Sequence, residues 1–298
     1  MILLSIFIAT KNRCSDLEET LSEIYKRKKN DFEVIVLDNN SSDNTVKMIE
    51  KNFPNVKLIK SNNNMGGIKG RNIASSQAKG EILISLDDDS FPSENSLDRI
   101  IEEFEKDPKL GLIAMKIIDY KTNIKNYKKN LIQIPKDSSG IKKYLWSGCG
   151  GAYRREIVEK LGNWEEWGIE SPYELSMCAK SIKLGFFCKS FEDIYVLHKW
   201  SEIGDPAKIR IDKEAFKSAV KSNLFYIIKY YPLNIKTFFL FFKIFFLLNV
   251  NLVDTRNLDL LLSGLTCLIE IKRILKQRIP LSQNNINKVS ISLNFLGK

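Results

Sequence analysis

The sequence predicts an α/β protein: a mostly parallel sheet flanked by helices, followed by a helical, basic C-terminal region. Three observations predict it. Residues 1–205 alternate apolar strand patterns with amphipathic helix patterns at short intervals. Several of those strands run straight into polar or acidic loops. The charge is also lopsided, with 31 Lys+Arg against 31 Asp+Glu in residues 1–205 and 15 against 5 in residues 206–298. The C-terminal segment therefore carries the whole net charge of +10.

The elements follow in order. ILLSIFIAT is a first strand, and SDLEETLSEIYKR a helix with Leu17, Leu21, Ile24 and Tyr25 on one face and Ser15 or Asp16 as N-cap. FEVIVLDNN is a second strand and DNTVKMIEKNF a second helix. VKLIKS is a third strand, IKGRNIASSQAKG a third helix stopping at Gly80, and EILISL a fourth strand. SLDRIIEEFEKD then reads as a helix, LGLIAMKIID as a strand, and WSGCGGAYRREIVEKLG as a glycine-rich turn leading into a helix. In such a sheet ligands lie beyond the carboxyl ends of the strands. The loops TKNR, DNNSSDN and DDDS all follow strands, so all three belong to that rim.

The stretch ILISLDDDS carries the sharpest chemical signal. A buried strand ends in Asp87, Asp88 and Asp89, and three adjacent carboxylates repel unless water or a cation compensates. Hard divalent cations take oxygen ligands. The single histidine, His198, follows another strand-like run, DIYVLHKW, and imidazole can join such a site.

Composition narrows the classes. Five cysteines without CxxC spacing read as reduced thiols. The apolar N-terminus reads as a strand rather than a signal peptide. PLNIKTFFLFFKIFFLLNV (232–250) is too polar at Lys236 and Lys243 for a spanning helix. With Lys229 those lysines recur every seven residues, as on an interfacial helix whose cationic stripe meets anionic lipid. A hydrophobic helix packed in a bundle, or in a homo-oligomer interface, stays open. Nucleic acid is not expected, because the basic residues sit among aliphatic ones.

TKNR, LDNNSSDNT, NNNMGGIKGRNIA, LISLDDDS and SGCGGAYRREIVEKLG, in that order, resemble the family 2 glycosyltransferases, which have the Rossmann-like GT-A fold. The resemblance covers about residues 1–205, and SNLFYIIKYYP (222–232) is similar to the family's C-terminal region. It implies a catalytic, nucleotide-sugar-binding domain over 1–205 and a separate basic helical region over 206–298. It implies a nucleotide pocket lined by Thr10, Asn12, Arg13, Asp38, Asn40, Gly67, Arg71, Asp87 and Asp88, with Asp38 accepting a hydrogen bond from the base. It implies Mn²⁺ or Mg²⁺ on Asp89, with His198 as a further ligand. The family's base is an aspartate beside a glutamate. Here WGIESPYEL places Ser171 and Pro172 there instead, which leaves Glu170 first and Glu174 second as the group that deprotonates the acceptor. Trp146, Trp164 and Trp167 are candidates for stacking on sugar rings.

The expectation is an inverting, metal-dependent transfer of a sugar from a UDP- or dTDP-linked donor to a hydroxyl of a glycan or lipid-linked acceptor, in cell-surface polysaccharide synthesis. The enzyme would be cytoplasmic and peripheral on the inner membrane face. A non-catalytic protein that kept the fold is one alternative, supported by the ESPYE departure. A nucleotidyltransferase is another, opposed by the lack of a glycine-rich loop after the first strand.

Overall fold

The computed structural model describes residues 3–27, 32–122, 141–142, 148–167, 173–199, 213–232, 234, 274–282 and 285. Glu170, Trp146 and nearly all of 232–250 lie outside the described residues.

The chain builds β1 (Leu4–Thr10), α1 (Cys14–Lys26), β2 (Phe32–Asp38), α2 (Thr45–Asn52), β3 (Lys57–Lys60), α3 (Gly67–Ser76) and β4 (Ile82–Ser85). Then come β5 (Ser90–Pro92), α4 (Ser96–Lys106), β6 (Leu110–Ala114), β7 (Lys116–Asp119), β8 (Ile141–Lys142) and β9 (Gly151–Arg154). α5 (Arg155–Leu161), α6 (Tyr173–Lys183), β10 (Phe187–Ser190), β11 (Tyr195–His198) and α7 (Lys213–Tyr230) complete the described elements. The main sheet runs β3-β2-β1-β4-β9-β6-β10-β8. Strands β1 to β4 pair in parallel, as do β6 and β10. β9 lies antiparallel between β4 and β6.

Successive side chains of a strand point to opposite faces, and the core divides accordingly. Phe7, Ile35, Leu37 and Leu83 face one layer, with α3, α6 and α7. Ile6, Ile8, Val34, Val36, Ile82 and Ile84 face the other, with α1, α2 and α4. Burial on both faces explains the near-continuous apolar runs of β1, β2 and β4.

Four expectations are corrected. α1 begins at Cys14, without a side-chain cap from Ser15 or Asp16. Asp43, on the loop after β2, accepts the Cys14 N–H instead, at 3.2 Å. α3 ends at Ser76 rather than Gly80, where Ser75 and Ser76 hydroxyls donate back to the Asn72 and Ile73 carbonyls. GAYR (Gly151–Arg154) is a strand rather than part of a turn, because its neighbours on both sides satisfy its backbone. Lys229 is 5% exposed and its Nζ donates to Glu165 at 2.8 and 2.9 Å, so it cannot belong to a lipid-facing stripe.

That ion pair belongs to a closed cluster. Glu165 also meets Lys180 Nζ at 2.9 Å and accepts the Tyr230 hydroxyl at 2.7 Å. All four residues are buried. Leu224, Phe225, Tyr226, Ile227 and Tyr230 of α7 enter the same core layer as the sheet. Residues 278–281 then cap the helix. Ile279 and Leu281 N–H groups donate to Lys229 and Tyr230 carbonyls, and the Arg278 guanidinium donates to those of Ile228 and Tyr231.

A second, three-stranded sheet, β5-β11-β7, positions the site. β11 runs antiparallel to β5, the strand that follows the triple aspartate, and His198 pairs with Ser90. A residue 109 positions after Asp89 is thereby fixed at the same rim.

Candidate functional site

The DDDS segment is a tight turn. Asp87 N–H donates to Ser90 Oγ at 2.9 Å, and Ser90 N–H returns to the Asp87 carbonyl at 3.2 Å. This closes the backbone and sets the three carboxylates around partners that they share in pairs. Asp87 forms an ion pair with Arg71 and lies 3.3 Å from His198 Nε2. Asp88 accepts the Thr10 hydroxyl at 2.8 Å and meets Arg13 Nε at 3.4 Å. Asp89 accepts from the other end of Arg13 at 2.8 Å and lies 3.4 Å from His198 Nε2.

The carboxyls titrate differently. Burial raises Asp87, but the Arg71 charge and the His198 contact outweigh it and hold the carboxyl below its ordinary range. Burial pushes Asp88 up to about 6 against the opposing charge of Arg13, and the two neighbouring aspartates add to the rise. Three carboxylates thus face two guanidinium groups, with the His198 imidazole set between Asp87 and Asp89.

The first two loops are knitted together. Asn12 and Asn40 both have positive φ, at 54° and 63°, where a short polar side chain is tolerated. Asn12 Oδ1 accepts the Ser42 N–H at 2.7 Å, and its own N–H donates to Ser41 Oγ at 2.8 Å. Asp38 is 2% exposed. Its Oδ2 accepts the Ser41 N–H at 3.1 Å, while its Oδ1 is buried with no hydrogen-bond partner among the described residues. Gly66 opens α3 at φ +82°, a conformation that suits glycine. Gly67 begins the helix, and a Cβ there would stand 3.1 Å from the Arg71 guanidinium.

Glu174 opens α6 and accepts the Gly148 N–H at 3.2 Å. Burial pushes its carboxyl up to about 7, against the hydrogen bonds from Tyr173 and Gly148 and the Arg71 charge. Trp164 and Trp167 are buried rather than open to a sugar, at 3% and 7% exposure. Trp164 stacks on Tyr173 at 4.7 Å between ring centroids, and the Arg71 guanidinium lies 5.9 Å over its ring. Trp167 packs edge-on against Phe225. Asn72 supports this wall by bonding both backbone polar groups of Trp164, at 2.9 and 3.1 Å.

Three residues escaped sequence reasoning. Asn39 is buried and bridges β2 to the glycine loop, donating to the Gly66 carbonyl and accepting the Met65 N–H, both at 3.1 Å. Its place inside DNN, beside Asp38, was the available signal. Lys199 ties the end of β11 to α1 through Asp16 and Glu19, at 3.1 and 3.0 Å. Cys149 has its sulfur in one group with ligand atoms of Asp87 and His198, all within 4.8 Å of one another.

An α/β sheet with an acidic turn at its carboxyl rim, closed by a second small sheet, defines the GT-A class of glycosyltransferase fold. Residues 5–162 match the family described as Glycosyl transferase family 2, and the chain belongs to it. A Haemophilus influenzae protein described as an uncharacterized glycosyltransferase is 28% identical over 111 residues, 37% of each chain. The poly(ribitol-phosphate) beta-N-acetylglucosaminyltransferase TarS of Staphylococcus aureus is 34% identical over 102 residues, covering 33% of this chain and 18% of its own. The poly-beta-1,6-N-acetyl-D-glucosamine synthase of the same species is 30% identical over 120 residues, covering 37% and 27%. The matches thus span well under half of these relatives' lengths. Among solved structures, TarS residues 1–349 with UDP-GlcNAc gives a TM-score of 0.63 at 18% identity, covering 91% of this chain and 81% of that one. GalNAc-T7 with UDP, GalNAc and Mn²⁺ gives 0.59 at 17% identity, covering 74% and 47%. At such identities the likeness is one of fold.

Proposed function

We propose that the chain transfers a sugar, with inversion, from a UDP- or dTDP-linked donor to a hydroxyl of a glycan or lipid-linked acceptor in cell-surface polysaccharide synthesis. The observation that carries this reading is the convergence of Thr10, Arg13, Arg71 and His198 on the three carboxylates that follow β4. The neighbours solved with UDP-GlcNAc and with UDP and Mn²⁺ support the donor class.

Each part of a nucleotide sugar has a matching group. The orphaned Asp38 Oδ1 is a buried acceptor of the kind a uracil or thymine ring N–H would satisfy, and such an atom is costly to leave unpaired. Arg13 and Arg71 carry charge suited to a diphosphate. Carboxylate oxygens of Asp87 and Asp89 flank one imidazole nitrogen within 3.4 Å, a donor set that fits a divalent cation. A cation held there by Asp89, His198 and Asp87 would offset charge on the departing nucleoside diphosphate.

Glu174 is the described group suited to act as base. A carboxylate that titrates near 7 can take the acceptor proton as the hydroxyl oxygen attacks the anomeric carbon and the nucleoside diphosphate leaves. Glu170 stands as the competing assignment. No described helix is long and apolar enough to cross a membrane. In this reading Lys236 and Lys243, in a segment rich in phenylalanine, would meet an anionic membrane surface. A thermal-shift screen of UDP-, dTDP- and GDP-sugars with Mn²⁺ tests the reading. Stabilisation by a UDP- or dTDP-sugar supports it, and a response to no nucleotide sugar contradicts it.

A further inference from the structure

The turn before β9 brings a sulfur to the rim. Among the described residues, Asp87, Cys149 and His198 form a group whose ligand atoms lie within 4.8 Å of one another. Cys149 is 2% exposed and His198 5%, so two of the three donors are withdrawn from solvent. Asp89 Oδ1, 3.4 Å from His198 Nε2, borders the same space. Ligand atoms around one tetrahedral ion stand roughly 3.5 Å apart, so the group closes on a cation with a contraction of at most about 1.3 Å.

The placement of Cys149 is built into the backbone. A Cβ on Gly148 would fall 2.3 Å from the Tyr173 hydroxyl, and one on Gly150 3.1 Å from a Val196 methyl. The Gly148 approach leaves no room for a side chain unless Tyr173 shifts and the Gly150 contact is tight, so Cys149 is held between α6 and β11. The Cys149 carbonyl also accepts the Ser90 hydroxyl at 3.4 Å, which joins this turn to the acidic one.

We propose that Cys149 contributes a thiolate ligand to the cation site, and that this sulfur makes the site select a borderline ion (Co²⁺ or Zn²⁺) over Mg²⁺. The inference rests on the donor-site reading above. On binding, a sulfur–metal bond forms and the thiol proton passes to solvent, with no change in oxidation state. Mg²⁺ demands near-octahedral oxygen ligation and gains little from sulfur, whereas softer ions favour thiolate and imidazole.

Cobalt titration of the full chain tests this. Wild-type protein should develop a near-ultraviolet sulfur-to-cobalt charge-transfer band along with the visible d–d bands. Cys149→Ser should keep the d–d bands, lose the charge-transfer band, and bind Co²⁺ more weakly by at least the about 10–100-fold that loss of an outer-shell partner costs. Its Mg²⁺ affinity should change little. Bound cobalt without the sulfur band in wild-type protein overturns the inference, and that spectrum requires no variant to fold. A band that survives Cys149→Ser but vanishes in Cys14→Ser overturns it equally. UDP-sugar thermal shifts run in parallel separate the two readings. Stabilisation by donor without the sulfur band removes only the thiolate, while a lack of both cobalt binding and donor response removes the site itself.

Discussion

Asp38 divides its two oxygens between two tasks that the sequence presented as alternatives. One accepts the Ser41 N–H and closes the loop, and the other is buried without a donor among the described residues. Asp38→Asn keeps the first contact and removes the charged acceptor. UDP affinity should then fall about 10–100-fold, the equivalent of ~1.5–3 kcal/mol for a hydrogen bond to a charged group, with little change in melting temperature. Calorimetric titration with UDP checks it, and unchanged affinity argues for the loop role alone. Glu174 makes a second residue-scale prediction. Tyr173, Arg71 and Cys178 are among the titratable groups that interact with it. Because its carboxyl is raised to about 7, kcat should rise with pH through about 7 as the base loses its proton. Glu174→Gln should cost about 10²–10⁴-fold in kcat with donor KM nearly unchanged. A loss that follows Glu170→Gln instead transfers the role. Stability runs the opposite way. The folded value exceeds the ordinary 4.5, so the neutral acid's contribution is full below 4.5 and is lost as pH rises through about 7. Thermal melts should show that decline in wild-type protein and less of it in Glu174→Gln.

At the scale of elements, the strands were legible because burial on both faces writes an unbroken apolar run. β1, β2 and β4 are such runs, and the loops after them announce the rim. β9 was not legible. Its GAYR carries little strand propensity and gets its hydrogen bonds from β4 and β6 on either side. The pairing of β11 with β5 is likewise non-local, so His198 could be proposed as a ligand but its position opposite Ser90 could not be read. Lys229 misled for a related reason. Seven-residue spacing looked like a lipid-facing stripe, but Glu165, 64 positions earlier, takes its charge inside the protein. The Glu165 cluster joins the segment after α5 to α6 and α7. Glu165→Ala leaves two ammonium groups buried without their carboxylate, which should cost about 3–5 kcal/mol. At about 2–4 °C per kcal/mol, thermal melts should fall on the order of 10 °C. A change too small to resolve would mean that water reaches the cluster.

At the scale of the whole molecule, one end of the sheet gathers the chemistry while the excess positive charge lies in residues 206–298. If that charge holds the enzyme on an anionic surface, replacing Lys236 and Lys243 by glutamate should weaken co-sedimentation with phosphatidylserine vesicles by more than about 1 kcal/mol per lysine. Turnover of a soluble acceptor should stay unchanged, and equal sedimentation of variant and wild type would place those lysines elsewhere. The division of labour between rim and C-terminal region rests on the rim being a donor site. Hydrolysis of UDP- and dTDP-sugars by the full chain, with and without Mn²⁺, tests that most directly. The account predicts metal-dependent release of nucleoside diphosphate from at least one donor, reduced about 100-fold or more in Asp89→Ala. Turnover of no donor, or turnover indifferent to both Mn²⁺ and Asp89, would contradict it.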